Sequence, residues 1–144
     1  MSEQPKSGVF QQPASDEKPD SGAGHGTEEY RPGPGEFSLI EEFQSREGAK
    51  DVSGLGMAWW DEKAQGYRAT WCSSSNPRGC IVMAHLAKWE GSQFVLGDEW
   101  EMMGKRFSFK EVLSDITPAS FTQTLYQGEA GGELKRLMTI KATK

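Results

Sequence analysis

Long apolar runs are missing from this chain. No stretch approaches the roughly 18 apolar residues that a membrane-spanning helix needs, so no transmembrane helix is expected. Basic clusters are missing too. The net charge is −5 over 144 residues, and nucleic-acid binding normally requires a Lys/Arg-rich face. The first two dozen residues, "MSEQPKSGVFQQPASDEKPDSGAG", lack the apolar core of a secretory signal. The expected compartment is therefore the cytoplasm, or an exported location if a signal segment has been removed. No membrane or nucleic-acid partner is expected.

Cysteine and histidine are scarce, with two of each. Cys72 and Cys80 flank "SSSNPRG" and could face each other across a hairpin. They form no CxxC pair, and zinc needs more ligands at closer spacing. In a reducing compartment they are expected to stay thiols and act as small buried residues, whereas export would favour a disulfide. No metal and no cofactor is expected. Ser73, Ser74 and Ser75 lack a positioned base and read as loop residues. The signature motifs of hydrolases, kinases and dinucleotide enzymes do not occur.

Helical periodicity is also absent. The chain has instead a dense series of turn sequences. These are "RPGPG" at 31–35, "EGAKD" at 47–51, "DEKAQG" at 61–66, "SSSNPRG" at 73–79, "EGSQ" at 90–93, "GK" at 104–105, "SDITPA" at 114–119 and "GEAGGE" at 128–133. Runs of period-2 alternation lie between them. Strands at that spacing with short hairpins predict an all-β, antiparallel up-and-down meander of about nine strands, closing into a barrel. Residues 1–21 have the Pro/Ser/Gln/Asp/Lys composition of a flexible tail, in which "SGVFQQP" could add a short edge strand. Residues 22–144 form a single domain.

Alternation splits each strand into two faces. In "GLGMAWWDEKAQGYRATWC", residues 54–72, one face carries Gly54, Gly56, Ala58 and Trp60, then Tyr67, Ala69 and Trp71. The opposite face carries Leu55, Met57 and Trp59, an apolar stripe that suggests an oligomer interface or a surface covered by the tail. Farther on, the bulkier parities give inner sets of Ile81, Met83, His85, Ala87 and Trp89; Phe94, Leu96, Asp98, Trp100 and Met102; Phe107, Phe109, Glu111 and Leu113; and Phe121, Gln123, Leu125 and Gln127. Turn lengths then set register. "EGSQ" pairs Trp89 with Phe94 and so His85 with Asp98. "GK" pairs Met103 with Arg106 and so Asp98 with Glu111. Pairing Leu113 with Phe121 sets Glu111 opposite Gln123. Pairing Cys72 with Cys80 sets Tyr67 opposite His85. One lateral row results: Trp60, Tyr67, His85, Asp98, Glu111 and Gln123.

Glycines and alanines that remove volume, aromatic walls and a few inward polar groups describe a ligand pocket better than a filled core. The candidate ligand-binding residues are Trp60, Tyr67, Trp71, His85, Asp98, Trp100, Glu111 and Gln123. A His between carboxylates could serve as a base or hold a ligand, or it could be a solvated patch of no functional consequence. The tryptophans serve equally as core. Glu41 shares a face with Leu39 and Phe43 and reads as an inner carboxylate or a rim residue. His25, in "GAGHGT", reads as part of a flexible edge strand.

The segments "GTEEYRPGPGEFSLIEEFQS", "SGLGMAWWDEKAQGYRATWC", "KWEGSQFVL" and "LMTIKATK" resemble an uncharacterised bacterial family of small lipocalin-like β-barrels. That family shows a glycine-x-glycine strand, an aromatic-Asp turn start and a Tyr-x-x-x-Trp return strand. Its usual opening strand is reduced here to "SGVFQQP". The resemblance implies a calycin-type barrel and no particular activity. Haem-binding relatives of this fold ligate iron through a late-strand His, and no His follows His85. Three functions are compatible with these features. The first is a barrel binding an amphipathic or hydrophobic small molecule. The second is an enzyme using a His/carboxylate set in the cavity. The third is a homodimeric structural module joined through Leu55, Met57 and Trp59.

Overall fold

The computed structural model describes residues 8–12, 25–47 and 49–144. Its strands are β1 (Gly8–Gln12), β2 (His25–Pro32), β3 (Ser38–Glu47), β4 (Lys50–Asp61), β5 (Gly66–Ser73), β6 (Cys80–Val82), β7 (Lys88–Glu90), β8 (Gln93–Met102), β9 (Lys105–Ser114), β10 (Ser120–Glu129) and β11 (Lys135–Thr143). Among the described residues the only helical piece is a 3₁₀ turn at Pro34–Glu36. The protein is all-β and antiparallel, as the turn spacing predicts.

The strand order is β6-β5-β4-β3-β2-β1-β11-β10-β9-β8-β7. Two five-stranded meanders, β2–β6 and β7–β11, are bridged by β1, which pairs with β2 over Gly8–Gln12 and meets β11 at Gln11↔Thr143. Three differences from the sequence expectation follow. Among the described residues there are eleven strands in place of about nine. Residues 8–12 are not tail; they form a strand. That strand lies between two others, not at an edge. The rest of the expected tail lies outside the described residues.

The ends of this order, β6 and β7, are consecutive in the chain. Residues 83–87 separate them, and there Tyr67 and Ala87 exchange two backbone hydrogen bonds of 3.0 and 2.8 Å. The Met83 N–H also donates to the Ala69 carbonyl at 2.9 Å. One stretch of chain thus pairs with β5 through its first half and with β8 through its second.

Several turns explain the register. Asp61 Oδ1 accepts from the N–H groups of Lys63 and Ala64, both at 3.0 Å, and its Oδ2 accepts from Arg68 Nε at 3.0 Å. These bonds hold the Asp61 carboxyl below its usual range, the Ala64 bond most of all, and they fix Trp60 opposite Tyr67. The β8–β9 turn is not "GK". It is Met103-Gly104, with φ of 53° and 76°. Two left-handed residues match the twist of a hairpin, so Met102 pairs with Lys105 and Asp98 faces Phe109, not Glu111. In the β9–β10 connection, Thr117 bonds the Ala119 and Ser120 N–H groups. Phe121 is left without a β9 partner, and Leu113 pairs with Gln123. Each slip is two residues, so the side chains of β8, β9 and β10 stay on their expected faces.

Cys72 and Cys80 are opposite each other, as expected, but they form a disulfide. They share the outer face with Leu55, and Cys80 is exposed. The expectation of buried thiols is therefore corrected: their parity puts them outside, and facing positions on adjacent strands bring the sulfurs into bonding range.

Candidate functional site

The inner face of β4 is nearly bare, and the reason is Trp71. A β-carbon at Gly54 would overlap the Trp71 six-membered ring. One at Gly56 would lie 3.2 Å from Trp71 Cε3 and 3.1 Å from Glu41 Oε2. The two glycines therefore make room for an indole lying along the strand and for a carboxylate beside it. Phe43 meets Trp71 edge-on, with ring centroids 6.0 Å apart.

Glu41 is the centre of a polar group that the row deduced from turn lengths did not contain. It pairs across the ladder with Tyr30, whose hydroxyl hydrogen-bonds the Glu41 carboxylate and lies 3.3 Å from Glu28 Oε2. Glu28 is 1% exposed, the largest side chain so fully enclosed among the described residues. From the other meander, Glu111 accepts a hydrogen bond from Gln123 Nε2 and interacts electrostatically with both Glu41 and Tyr30. Glu28 and Tyr30 on β2, Glu41 on β3, Glu111 on β9 and Gln123 on β10 thus converge from both halves of the sheet.

Burial dominates the electrostatics. It raises the Glu41 carboxyl well above the usual glutamate range, and the charges of Glu28 and Glu111 push in the same direction. It also raises Glu111, against a lowering contribution from Gln123. Tyr30 is raised by burial and then by the surrounding carboxylates. Low dielectric penalises each charged form, and like charges deepen the penalty. Among the described residues, a cationic side chain on the inner face is Lys135, opposite Gln127 on β10, where it lies with Phe107. At the lower rim, Lys105 Nζ is already 3.3 Å from Glu129 Oε1.

The walls around this group are apolar. Phe43, Trp71, Leu96, Phe109, Leu125 and Ile140 all point inward, and each retains accessible surface. Among the described residues the buried hydrophobic ones are mostly small, Val52, Ala69, Ala87, Val112 and Ala142, with Phe121 the exception. Phe121 packs with Ala142, Leu113 and Tyr30 into a local cluster. At the end nearer Trp60, rings run in contact from Trp60 to Tyr67, Phe94 and Trp89, with centroids 5.1, 5.5 and 5.1 Å apart. At the other end Trp100 stacks on Phe107. There a depression of about 520 Å³ is lined by Phe107 and Gln127 together with the 128–137 hairpin.

The expected row is only partly assembled. Trp60 pairs with Tyr67 as deduced, although its ring is half-exposed and its Nε1 donates to Glu62. Trp71, Glu111 and Gln123 line the interior, the last two in diagonal contact and not directly opposite. His85 does not belong to the row. Residues 83–86 leave strand geometry, so parity does not carry through them. The His85 side chain is outside, with Nε2 3.3 Å from Glu99 Oε2, beside Arg106 on the same carboxylate at 2.8 Å. Asp98 is inside and 9% exposed. It accepts the Ala84 N–H at 2.8 Å, so it holds the bend and not the imidazole. The His/carboxylate set is therefore absent. Glu28 and Tyr30 were missed, although a signal existed: carrying the "RPGPG" hairpin register back into β2 sets Tyr30 opposite Glu41. Among the described residues no His, Cys, Asp and Glu group is arranged to hold a metal, and no helix is long and apolar enough to cross a membrane. His25 lies in β2 at its start.

The chain matches no family model and no curated protein.

Proposed function

We propose that this chain is a small-molecule binding protein whose meander closes as a lipocalin-like, calycin-type barrel around an amphipathic ligand. The ligand's apolar part lies against Trp71 and Phe43, and its polar part reaches the Glu41–Glu111–Gln123 group. One observation carries the reading: large inward side chains keep accessible surface around a deep polar cluster. A core that exists only for stability would be filled at close to crystal packing density, whereas ligand sites are apolar spaces with a few convergent polar groups. Closure is supported by the Tyr67–Ala87 hydrogen bonds, which tie the two ends of the strand order together. Likeness to the uncharacterised bacterial barrel family stays part of this proposal.

The displacement of His85 to the exterior removes the support for an enzyme built on a His/carboxylate pair. A homodimer remains a companion proposal. It is supported by the outer face, where Leu55 is 41% exposed, Met57 43% and Val82 68%. The disulfide favours an oxidising compartment over the cytoplasm.

Native mass spectrometry of the protein purified from its source tests the binding reading. A non-covalent adduct lost on denaturation is expected. A bare chain that also fails to bind dodecyl-chain amphiphiles by calorimetry would overturn the reading.

A further inference from the structure

We infer that the outer face carries a separate binding site, a notch beside Gly97 that takes a phosphate group between Lys88 and Lys110. The site lies outside the interior and does not depend on the small-molecule reading above.

The notch exists because the closing stretch of chain leaves the ladder. Ala87 exchanges its backbone bonds with Tyr67 on β5, so Lys88 turns its N–H and C=O the other way, to Val95 on β8. Alternate residues of an antiparallel strand point to the same side. Gly97 therefore aims its N–H and C=O at the place Leu86 would fill in a continued strand. Leu86 is not there. It packs over Gly66, where a β-carbon would come within 3.0 Å of its side chain. The strand on the other side does not use these groups either. The Arg106 carbonyl accepts from Ala130, just beyond β10, so the even-numbered residues of β9 bond towards β10. Gly97 and Lys110 thus face each other without exchanging backbone bonds. The Gly97 N–H is left as a donor at the end of a broken ladder. A cavity of about 240 Å³ opens there, and its lining includes Leu86, Lys88, Val95, Gly97 and Lys110, with His85 beside them.

The side chains give the notch its sign. Lys88 on β7 and Lys110 on β9 flank β8 on the outer face, and Gly97 puts no side chain between them. Among the described residues neither lysine has an ion-pair partner. Lys110 is half-buried, and a lysine withdrawn from water without a counter-charge is uncommon. His85 borders the floor, with its Cδ2 3.7 Å from where a Gly97 β-carbon would stand. Two carboxylates come near. Glu99 is held by Arg106 at 2.8 Å and by His85 at 3.3 Å, so its charge is met. Glu90 pairs with Gln93, which stands about 13 Å along β8 from Gly97 at the usual strand rise, so it borders the notch at the far edge. At Gly97 there remain two ammonium groups and a backbone N–H. They complement a phosphate group, which carries about −1.5 to −2 charges at neutral pH and three strong acceptor oxygens. The Gly97 carbonyl, on the same edge, accepts the P–O–H of the monoanion. Leu86 and Val95 offer apolar surface to a small organic group carried on that phosphate.

The test is a titration of the full chain with inorganic phosphate and with phenyl phosphate, followed by amide shifts in proton–nitrogen correlation NMR. Chloride holds the ionic strength constant. Saturable shifts centred on Gly97 and Lys88 are expected. Lys88→Gln and Lys110→Gln should each weaken binding about tenfold, the scale of one hydrogen bond to a charged group. Gly97→Ala brings a β-carbon no nearer than 3.5 Å to its neighbours, so the strand tolerates it, and the methyl on the floor should weaken binding as well. Lys141→Gln, on β11 opposite Thr122, should leave affinity unchanged. Tighter phenyl phosphate identifies a phosphorylated organic molecule as the ligand, and equal affinities identify free phosphate; both support the site. Shifts that do not saturate, a Gly97 amide that does not move, or equal weakening by Lys141→Gln and Lys110→Gln would overturn it. The wild-type titration needs no variant to fold.

Discussion

Trp71 lies across Gly54, its six-membered ring filling the space where a β-carbon would stand. The contact joins adjacent strands on the inner face, and Phe43 closes it from β3. Gly54→Ala should therefore overpack the wall. A cost of about 1–3 kcal/mol is expected, the usual range for an added methyl in a site with no slack, read as a lower urea midpoint at unchanged slope. An unchanged midpoint would mean that the indole moves aside freely.

Glu41 sets a pH dependence whose sign follows from burial. Its folded-state carboxyl is raised above the ordinary value of 4.5, so the folded state holds a proton that the unfolded chain releases. Stability from this group is complete below the unfolded value and is lost as pH rises through the raised folded value. Glu111 acts in the same direction. Glu41→Gln keeps the shape and cannot ionise. It should match the parent near pH 4 and exceed it increasingly above, by about 1 kcal/mol or more once a buried charge is relieved. A variant whose melting temperature tracks the parent at every pH would show that Glu41 is solvated.

The disulfide is expected to stabilise the sheet. Removing Cys72 and Cys80 together, as the double alanine variant, frees a short loop in the unfolded chain. A loss of about 2–3 kcal/mol is expected for a loop of this length. Alkylation of the unfolded, unreduced protein should find no free thiol. Labelling of both cysteines would show that the bond does not form in the source compartment.

Trp59 shares the outer face with Leu55 and Met57. If that stripe joins two copies, Trp59→Glu should shift size-exclusion elution from dimer to monomer, because an unpaired charge at a symmetric contact is met twice. A dimeric parent with an unmoved variant would locate the interface elsewhere.

What could be read without coordinates divides along a physical line. Face parity depends only on alternation, and it placed Trp71, Glu111, Gln123 and Asp98 inside and Leu55 and Met57 outside. Register depends on which turn residues accept positive φ. There Met103-Gly104 displaced the simpler choice of Gly104-Lys105, and the Asp98–Glu111 pairing was lost with it. His85 failed for a third reason. Parity has no meaning across residues 83–86, and nothing in "VMAHLA" signals that the strand breaks there. Glu28 and Tyr30 lay within reach of the same reasoning, since "HGTEEYRP" alternates cleanly.

That break assigns Asp98 a role separable from any ligand. Its Oδ1 accepts the Ala84 N–H, and the bend so fixed delivers Ala87 to Tyr67 and Trp89 to Phe94. Asp98→Ala leaves the Ala84 N–H without its acceptor, at a cost of about 0.5–1.5 kcal/mol, the scale of one hydrogen bond. It should also loosen the 80–90 segment, raising amide exchange at Ala84 and Ala87 before other positions. Asp98→Asn keeps a carbonyl oxygen for the same bond and should recover most of the loss. His85→Ala removes an exposed side chain whose partner, Glu99, still holds Arg106, so its effect should fall within about 0.5 kcal/mol. The order Ala84-bond loss, partial rescue and neutrality is what separates a backbone support from a His–Asp functional pair. If His85→Ala proved as costly as Asp98→Ala, the two side chains would have to act together, and the exterior placement of His85 would be wrong.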